Sequence, residues 1–129
     1  MADKFILIVE DNERNAKLIR DVLQVTGYRV AHCVTAEEGL DLARRDRPDL
    51  ILMDIQLPGM SGSTALQHLK SDPRTRDIPV IAVTASAMPV ERAQILEAGF
   101  DGYQAKPISV KALIAEVKTL LERGERQPE

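Results

Sequence analysis

The sequence predicts an α/β fold: a three-layer (βα)5 doubly wound parallel sheet with strand order 2-1-3-4-5. Three observations predict it. Strand-like and helix-like segments alternate five times along 129 residues, which implies right-handed βαβ units and a sheet covered on both faces. The runs Phe5 to Val9, Leu50 to Met53 and Ile78 to Val83 are apolar, as strands buried on both faces are. The runs Tyr28 to Val34 and Asp101 to Ala105 carry polar residues within them, which places them at the edges. Strands one and three then lie side by side where the order reverses.

Each element has its own signals. After the first strand, Asn12 suits a helix N-cap, Leu18, Ile19, Val22 and Leu23 recur at helical spacing, and Gly27 is a stop. The second strand leads to Thr35 and Glu38, spaced as a capping box, and their helix carries Leu40 and Ala43 inward to about Asp46. Pro48 separates it from the third strand. That strand meets Asp54 and must end near Ile55, because Pro58 lacks a ladder donor and Gly59 and Gly62 free the backbone. A helix from Ser63 to Lys70 buries Leu66 and Leu69 and stops at Asp72-Pro73. The fourth strand ends on Thr84, and Pro89 opens a helix that Gly99 closes. The fifth strand ends on Lys106-Pro107. Ser109 caps the last helix, whose stripe is Val110, Leu113, Ile114, Val117, Leu120 and Leu121. A single domain spans 1–129, with its core at 4–122 and a polar tail at 123–129.

Bulk properties exclude several classes. Apolar residues at 44% and charged residues at 29% belong to a folded globular chain, not a disordered one. The formal net charge is -3 and no helix carries a basic stripe, which disfavours nucleic acid as a partner. No apolar run is long enough to span a bilayer and no leader pattern is present, so no membrane association and a cytoplasmic location are expected. The one cysteine, Cys33, fits a reducing compartment.

The chemistry is expected at the carboxyl ends of the strands, where open α/β sheets place it. Strand one supplies Glu10 and Asp11, strand three Asp54, strand four Thr84 and strand five Lys106. Adjacent strands lie about 4.8 Å apart, so the three carboxylates converge on one small volume. Such a cluster is costly unless a cation sits within it. Oxygen ligands with no histidine or cysteine nearby in sequence suit Mg²⁺ better than zinc. A metal-bound carboxylate beside a hydroxyl and an ammonium suits an incoming phosphoryl group. Read singly, each residue has a plainer role: turn or helix cap for the acids, strand end for Thr84, surface charge for Lys106. Their convergence on one sheet edge favours the joint reading.

These residues carry a resemblance. Val9 to Asn12, Met53 to Gly62, Val83-Thr84-Ala85 and Lys106-Pro107 look like the receiver domain of two-component response regulators, the CheY-like branch of the 2-1-3-4-5 fold. The resemblance runs from Lys4 to about Glu122. Asn12, Gln56, Ala87-Met88 and Lys106 to Ser109 are similar to the single-domain regulators of cell division. It implies that Asp54 accepts a phosphoryl group from a phosphohistidine on a partner histidine kinase or histidine phosphotransferase. It implies Mg²⁺ held by Glu10, Asp11, Asp54 and the Gln56 backbone carbonyl. Thr84 would hydrogen-bond the phosphate, Lys106 would pair with it, and small Ala85 would keep the site open. Pro107 matches a position with a cis peptide bond in the family. Thr84 and Tyr103 would form the switch, although Tyr103 also fits plain edge packing. The output face would be the fourth helix, fifth strand and fifth helix, and the weak apolar stripe of the fourth helix (Val90, Ala93, Ile95, Leu96) suits a helix that shifts. Gln56 and Ser86 are expected to set the phosphoryl lifetime.

Other readings have less support. A phosphatase working through an aspartyl phosphate carries a second aspartate two residues on, where this chain has Gln56, and no insertion is long enough for a cap. A flavin carrier needs a phosphate loop after strand one, where Glu10, Asp11 and Glu13 would repel the ligand. A receiver used only as a phosphate-indifferent binding module stays open.

Overall fold

A computed structural model describes residues 4–57, 59–85 and 88–125, with side chains to Glu122. Five strands, β1 (Phe5–Val9), β2 (Arg29–Cys33), β3 (Leu50–Asp54), β4 (Val80–Thr84) and β5 (Gly102–Ala105), form one parallel sheet in the order β2-β1-β3-β4-β5. Five helices alternate with them: α1 (Glu13–Thr26), α2 (Ala36–Asp46), α3 (Gly62–Ser71), α4 (Pro89–Ala98) and α5 (Val110–Glu125).

Side chains alternate across the three central strands and so build two cores. Leu7, Val9, Ile51, Met53, Val80 and Ala82 meet Leu40 of α2, Leu66 and Leu69 of α3 and Ile95 of α4. Ile6, Ile8, Leu50, Leu52, Ile81 and Val83 meet Ile19 and Leu23 of α1 and Leu113, Val117, Leu120 and Leu121 of α5. Every residue of β3 and β4 is buried, whereas β2 is mostly half-exposed.

Local chemistry explains the helix ends. Asn12 caps α1 by accepting from the Asn15 N–H, Thr35 caps α2 through Glu38, and Ser61 caps α3 through Thr64. The N-terminal half of the capping box is shifted by one residue, because the Glu38 carboxylate accepts from Val34 rather than from Thr35. Gly27 and Gly99 close α1 and α4 with φ of 113° and 114°, a region glycine enters without a Cβ penalty. Gly62 is required for another reason: a Cβ there would lie 2.5 Å from the Asp54 carbonyl oxygen.

Two expected core residues are on the surface. Leu18 is 40% exposed, and Ala16 takes the inward position beside Ile19. Val110, the first residue of α5, is 43% exposed, and the buried stripe starts at Leu113. The boundaries shift slightly too. β4 begins at Val80 because residues 72–78 form turns, with the Ile78 N–H donating to Thr75 O. α5 continues to Glu125, three residues into the stretch expected as tail, and residues 126–129 lie outside the described ones.

Candidate functional site

The strand ends bring the acidic residues together. Ligand oxygens of Glu10, Asp11 and Asp54 all lie within 4.8 Å of one another. Glu10 and Asp54 are 1% and 3% exposed, while Asp11 is open to solvent. The Asp54 carboxylate is held at both oxygens: Oδ1 accepts from the Gln56 N–H at 2.9 Å, and Oδ2 from the Lys106 ammonium at 2.9 Å. Lys106 also lies 3.4 Å from Glu10 Oε1, and Glu10 Oε2 accepts from the Asn12 N–H. The Lys106 N–H donates to the Thr84 carbonyl at 2.7 Å, which ties the ends of β4 and β5. Thr84 is buried one register step beyond the Asp54–Val83 pair, so its side chain sits at the same sheet edge. The Lys106–Pro107 peptide is cis.

The electrostatics of the cluster are strained. Burial pushes the Glu10 carboxyl up to about 7, and the neighbouring Asp54 pushes in the same direction, against the Asn12 N–H and Lys106. For Lys106 burial disfavours the charge, but the hydrogen bond to Asp54 and the two carboxylates outweigh it and raise its pKa. One ammonium does not satisfy this pocket. Among the described residues Glu10 Oε1 is buried without a hydrogen-bond partner, 3.4 Å from the lysine nitrogen. A buried orphaned carboxylate oxygen beside two more carboxylates is a donor set that fits a hard divalent cation.

The remaining expected positions fall around this centre. Gln56 is exposed, with its backbone against Asp54, and it lines a groove of about 260 Å³ with Thr84, Ser63, Glu91, Gln94 and Ile95. Tyr103 is half-buried on β5, with the Arg92 guanidinium of α4 over its ring at 5.1 Å. Ser86 lies outside the described residues. Sequence reasoning missed His32, whose Nε2 lies 2.7 Å from the Glu10 carbonyl oxygen. Its position at the end of the neighbouring strand was the available signal, since His32 pairs in register with Ile8, two residues before Glu10.

The response regulator receiver domain model matches residues 6–118, and the chain belongs to that family. It is a receiver domain of a two-component response regulator, and receiver domains as a family are phosphoacceptor signalling domains rather than classical enzymes. It is 50% identical over 118 residues to the polar-differentiation response regulator DivK of Brucella anthropi, covering 92% of this chain and 96% of the relative. It is thus a DivK-like response regulator. Among solved structures it resembles the receiver domain of a Pseudomonas aeruginosa sensor histidine kinase, which has a magnesium ion coordinated in its active-site cleft (TM-score 0.86, 35% identity, 94% and 99% of the two chains). The receiver of a Syntrophus aciditrophicus histidine kinase is equally similar (TM-score 0.87, 35% identity, 98% and 96%). Receivers bind Mg²⁺ at an acidic site of this kind and exchange signals with histidine kinases, phosphotransferases and downstream targets. Among the described residues no helix is long and apolar enough to cross a membrane.

Proposed function

We propose that the chain accepts a phosphoryl group on Asp54 from a phosphohistidine of a partner histidine kinase or histidine phosphotransferase, in the cytoplasm. The observation that carries this is the Asp54 carboxylate itself. It is buried, braced at both oxygens by Gln56 N–H and Lys106, and set within 4.8 Å of two further carboxylates.

Glu10, Asp11, Asp54 and the Gln56 carbonyl would hold Mg²⁺, which supplies positive charge to the phosphoryl oxygens. An Asp54 oxygen attacks phosphorus in line, the bond from phosphorus to the imidazole nitrogen breaks, and the electron pair stays on that nitrogen. Lys106 pairs with the charge delivered to Asp54, and the Thr84 hydroxyl donates to a phosphoryl oxygen. Phosphorylation adds roughly -1.5 to -2 charges at one point. Movement of Thr84 toward it opens space beside β4 for Tyr103 to turn inward, and α4 shifts with it. Gln56 and Ser86 control access of water and so the lifetime. Output runs through the α4-β5-α5 face to protein targets, and the likeness to DivK supports a role in cell-division and cell-cycle control.

Incubation with a small phosphodonor and Mg²⁺ tests this. One labile phosphoryl group per chain is expected, absent in Asp54→Asn and absent with EDTA. Stable binding of targets without any phosphorylation would identify a phosphate-indifferent module instead.

A further inference from the structure

We infer that His32 is a positioning residue for the cation site: its Nε2–H holds the carbonyl of the Glu10–Asp11 peptide and so sets where Asp11 stands. The inference rests on the proposed metal role of Glu10, Asp11 and Asp54. The β1–β2 ladder ends with the Val9–Cys33 pair and one further bond, from the Glu10 N–H to the Cys33 carbonyl at 3.0 Å. Beyond that point β2 turns away into α2. The Val34 N–H is taken by the Glu38 carboxylate, and Thr35 serves as the N-cap. The Glu10 carbonyl has thus run past the end of the backbone ladder, and it is the His32 side chain that reaches it, at 2.7 Å. A carbonyl oxygen only accepts, so Nε2 carries the proton.

The consequence falls on Asp11. Glu10 is anchored through its own carboxylate by the Asn12 N–H and Lys106, and Asp54 by Gln56 N–H and Lys106. Asp11 is exposed, so its carboxylate is placed by its backbone, and one side of that backbone is the peptide that His32 holds. Groups that orient a metal ligand change metal affinity by about 10–100-fold when removed, although they never touch the ion. His32 is half-buried on the α1 side of β2, beside Arg14, Ala16 and Lys17. It makes the contact from the edge strand whose Cys33 carbonyl also accepts from the Glu10 N–H.

Calorimetric titration with Mg²⁺, alongside melting in EDTA, tests the assignment on wild type, His32→Gln, His32→Asn and His32→Leu. A glutamine amide nitrogen occupies nearly the place of Nε2, whereas an asparagine nitrogen falls short of it. His32→Gln is expected to bind Mg²⁺ within about twofold of wild type, and His32→Asn and His32→Leu about tenfold more weakly. Metal-free melting should be similar for all four, and amide exchange at Asp11 should quicken only in the Asn and Leu variants. Unchanged affinity in His32→Leu and His32→Asn would overturn the inference. So would equal loss in His32→Gln, or melting that falls in step with affinity. If wild type binds Mg²⁺ and Asp11→Asn weakens it, a failure belongs to His32 alone; if wild type shows no saturable binding, the metal reading falls and this inference with it.

Discussion

The middle of the sheet and its carboxyl edge are built from the same strands, one residue apart, on opposite terms. Val9, Met53 and Val83 are buried among other apolar side chains, and burial is what stabilises them. The next residues, Glu10, Asp54 and Thr84, are almost as fully buried but are polar. Glu10 and Asp54 share one lysine, and with Asp11 they crowd one another. The middle holds the fold together, and the edge draws on that stability to keep three acids in contact. The helix across the edge follows suit. α4 buries only Ile95, whereas α5 buries Leu113, Val117, Leu120 and Leu121. The difference teaches where a switch can sit, since a segment with few buried contacts moves at low cost.

The largest effect should come from the middle. Ile81→Ala removes a fully buried side chain between Leu113, Val117 and the neighbouring strands. A loss of about 2–5 kcal/mol is expected in denaturant unfolding. If Ile81→Ala cost no more than an edge substitution, the contrast between the two regions would be wrong.

At the edge the sign should reverse. In the metal-free protein Glu10 keeps its proton up to about pH 7, while the unfolded chain releases it near the ordinary 4.5. Between those values the folded state binds more protons than the unfolded state. Stability therefore falls as pH rises from about 4.5 to about 7 and is flat in this respect above. Glu10→Gln should remove that slope and stabilise the metal-free protein at pH 8 by on the order of 2 kcal/mol. Saturating Mg²⁺ should flatten the slope in wild type, because a cation favours the ionised carboxylate. Melting curves from pH 4.5 to 8, with EDTA and with Mg²⁺, check both; parallel curves for wild type and Glu10→Gln in EDTA would refute the reading.

The same contrast explains what was legible in the sequence. Strands buried on both faces write themselves as unbroken apolar runs, and a polar residue directly after such a run marks the edge. The positions of β1, β3, β4, Glu10, Asp11, Asp54 and Thr84 could thus be read from the runs, and that of Lys106 from the strand order that makes β5 the last strand. Helix faces are less sharply written. A residue flanking the stripe, such as Leu18 or Val110, has the right spacing on either side of the boundary, and only the crossing of the helix over the sheet decides its exposure. Ser61 as cap of α3 was hidden in a run of glycines and serines. His32 is one of the polar residues that mark Tyr28 to Val34 as an edge strand. Its partner is a main-chain carbonyl, and no side-chain pattern reveals that.

The lightly packed α4 gives a smaller prediction. Ile95→Ala should destabilise by about 1–2 kcal/mol, below the fully buried positions, because Ile95 is the only buried side chain of α4. Its effect should be local: amide exchange should quicken across α4 and leave α5 and the sheet unchanged. Quickening spread evenly over the whole protein would mean that α4 is as tightly coupled to the core as α5.

The smallest effect is expected where α4 meets β5. The Arg92 guanidinium lies over the Tyr103 ring at 5.1 Å, on a helix otherwise held to the sheet by one buried isoleucine. Such a contact is worth about 0.5–1 kcal/mol when exposed, so Arg92→Ala should barely alter global melting. Its consequence is for the switch. If Tyr103 turns inward when Asp54 is phosphorylated, the ring leaves the guanidinium, and that contact stabilises only the unphosphorylated arrangement. Removing it should shift the balance toward the inward rotamer by roughly two- to fivefold, the equivalent of about 0.5–1 kcal/mol. NMR of the Tyr103 ring in unphosphorylated Arg92→Ala would show this as resonances moved part of the way toward those of the phosphorylated wild type. Resonances identical to unphosphorylated wild type would leave Tyr103 as edge packing, with α4 free to move without it.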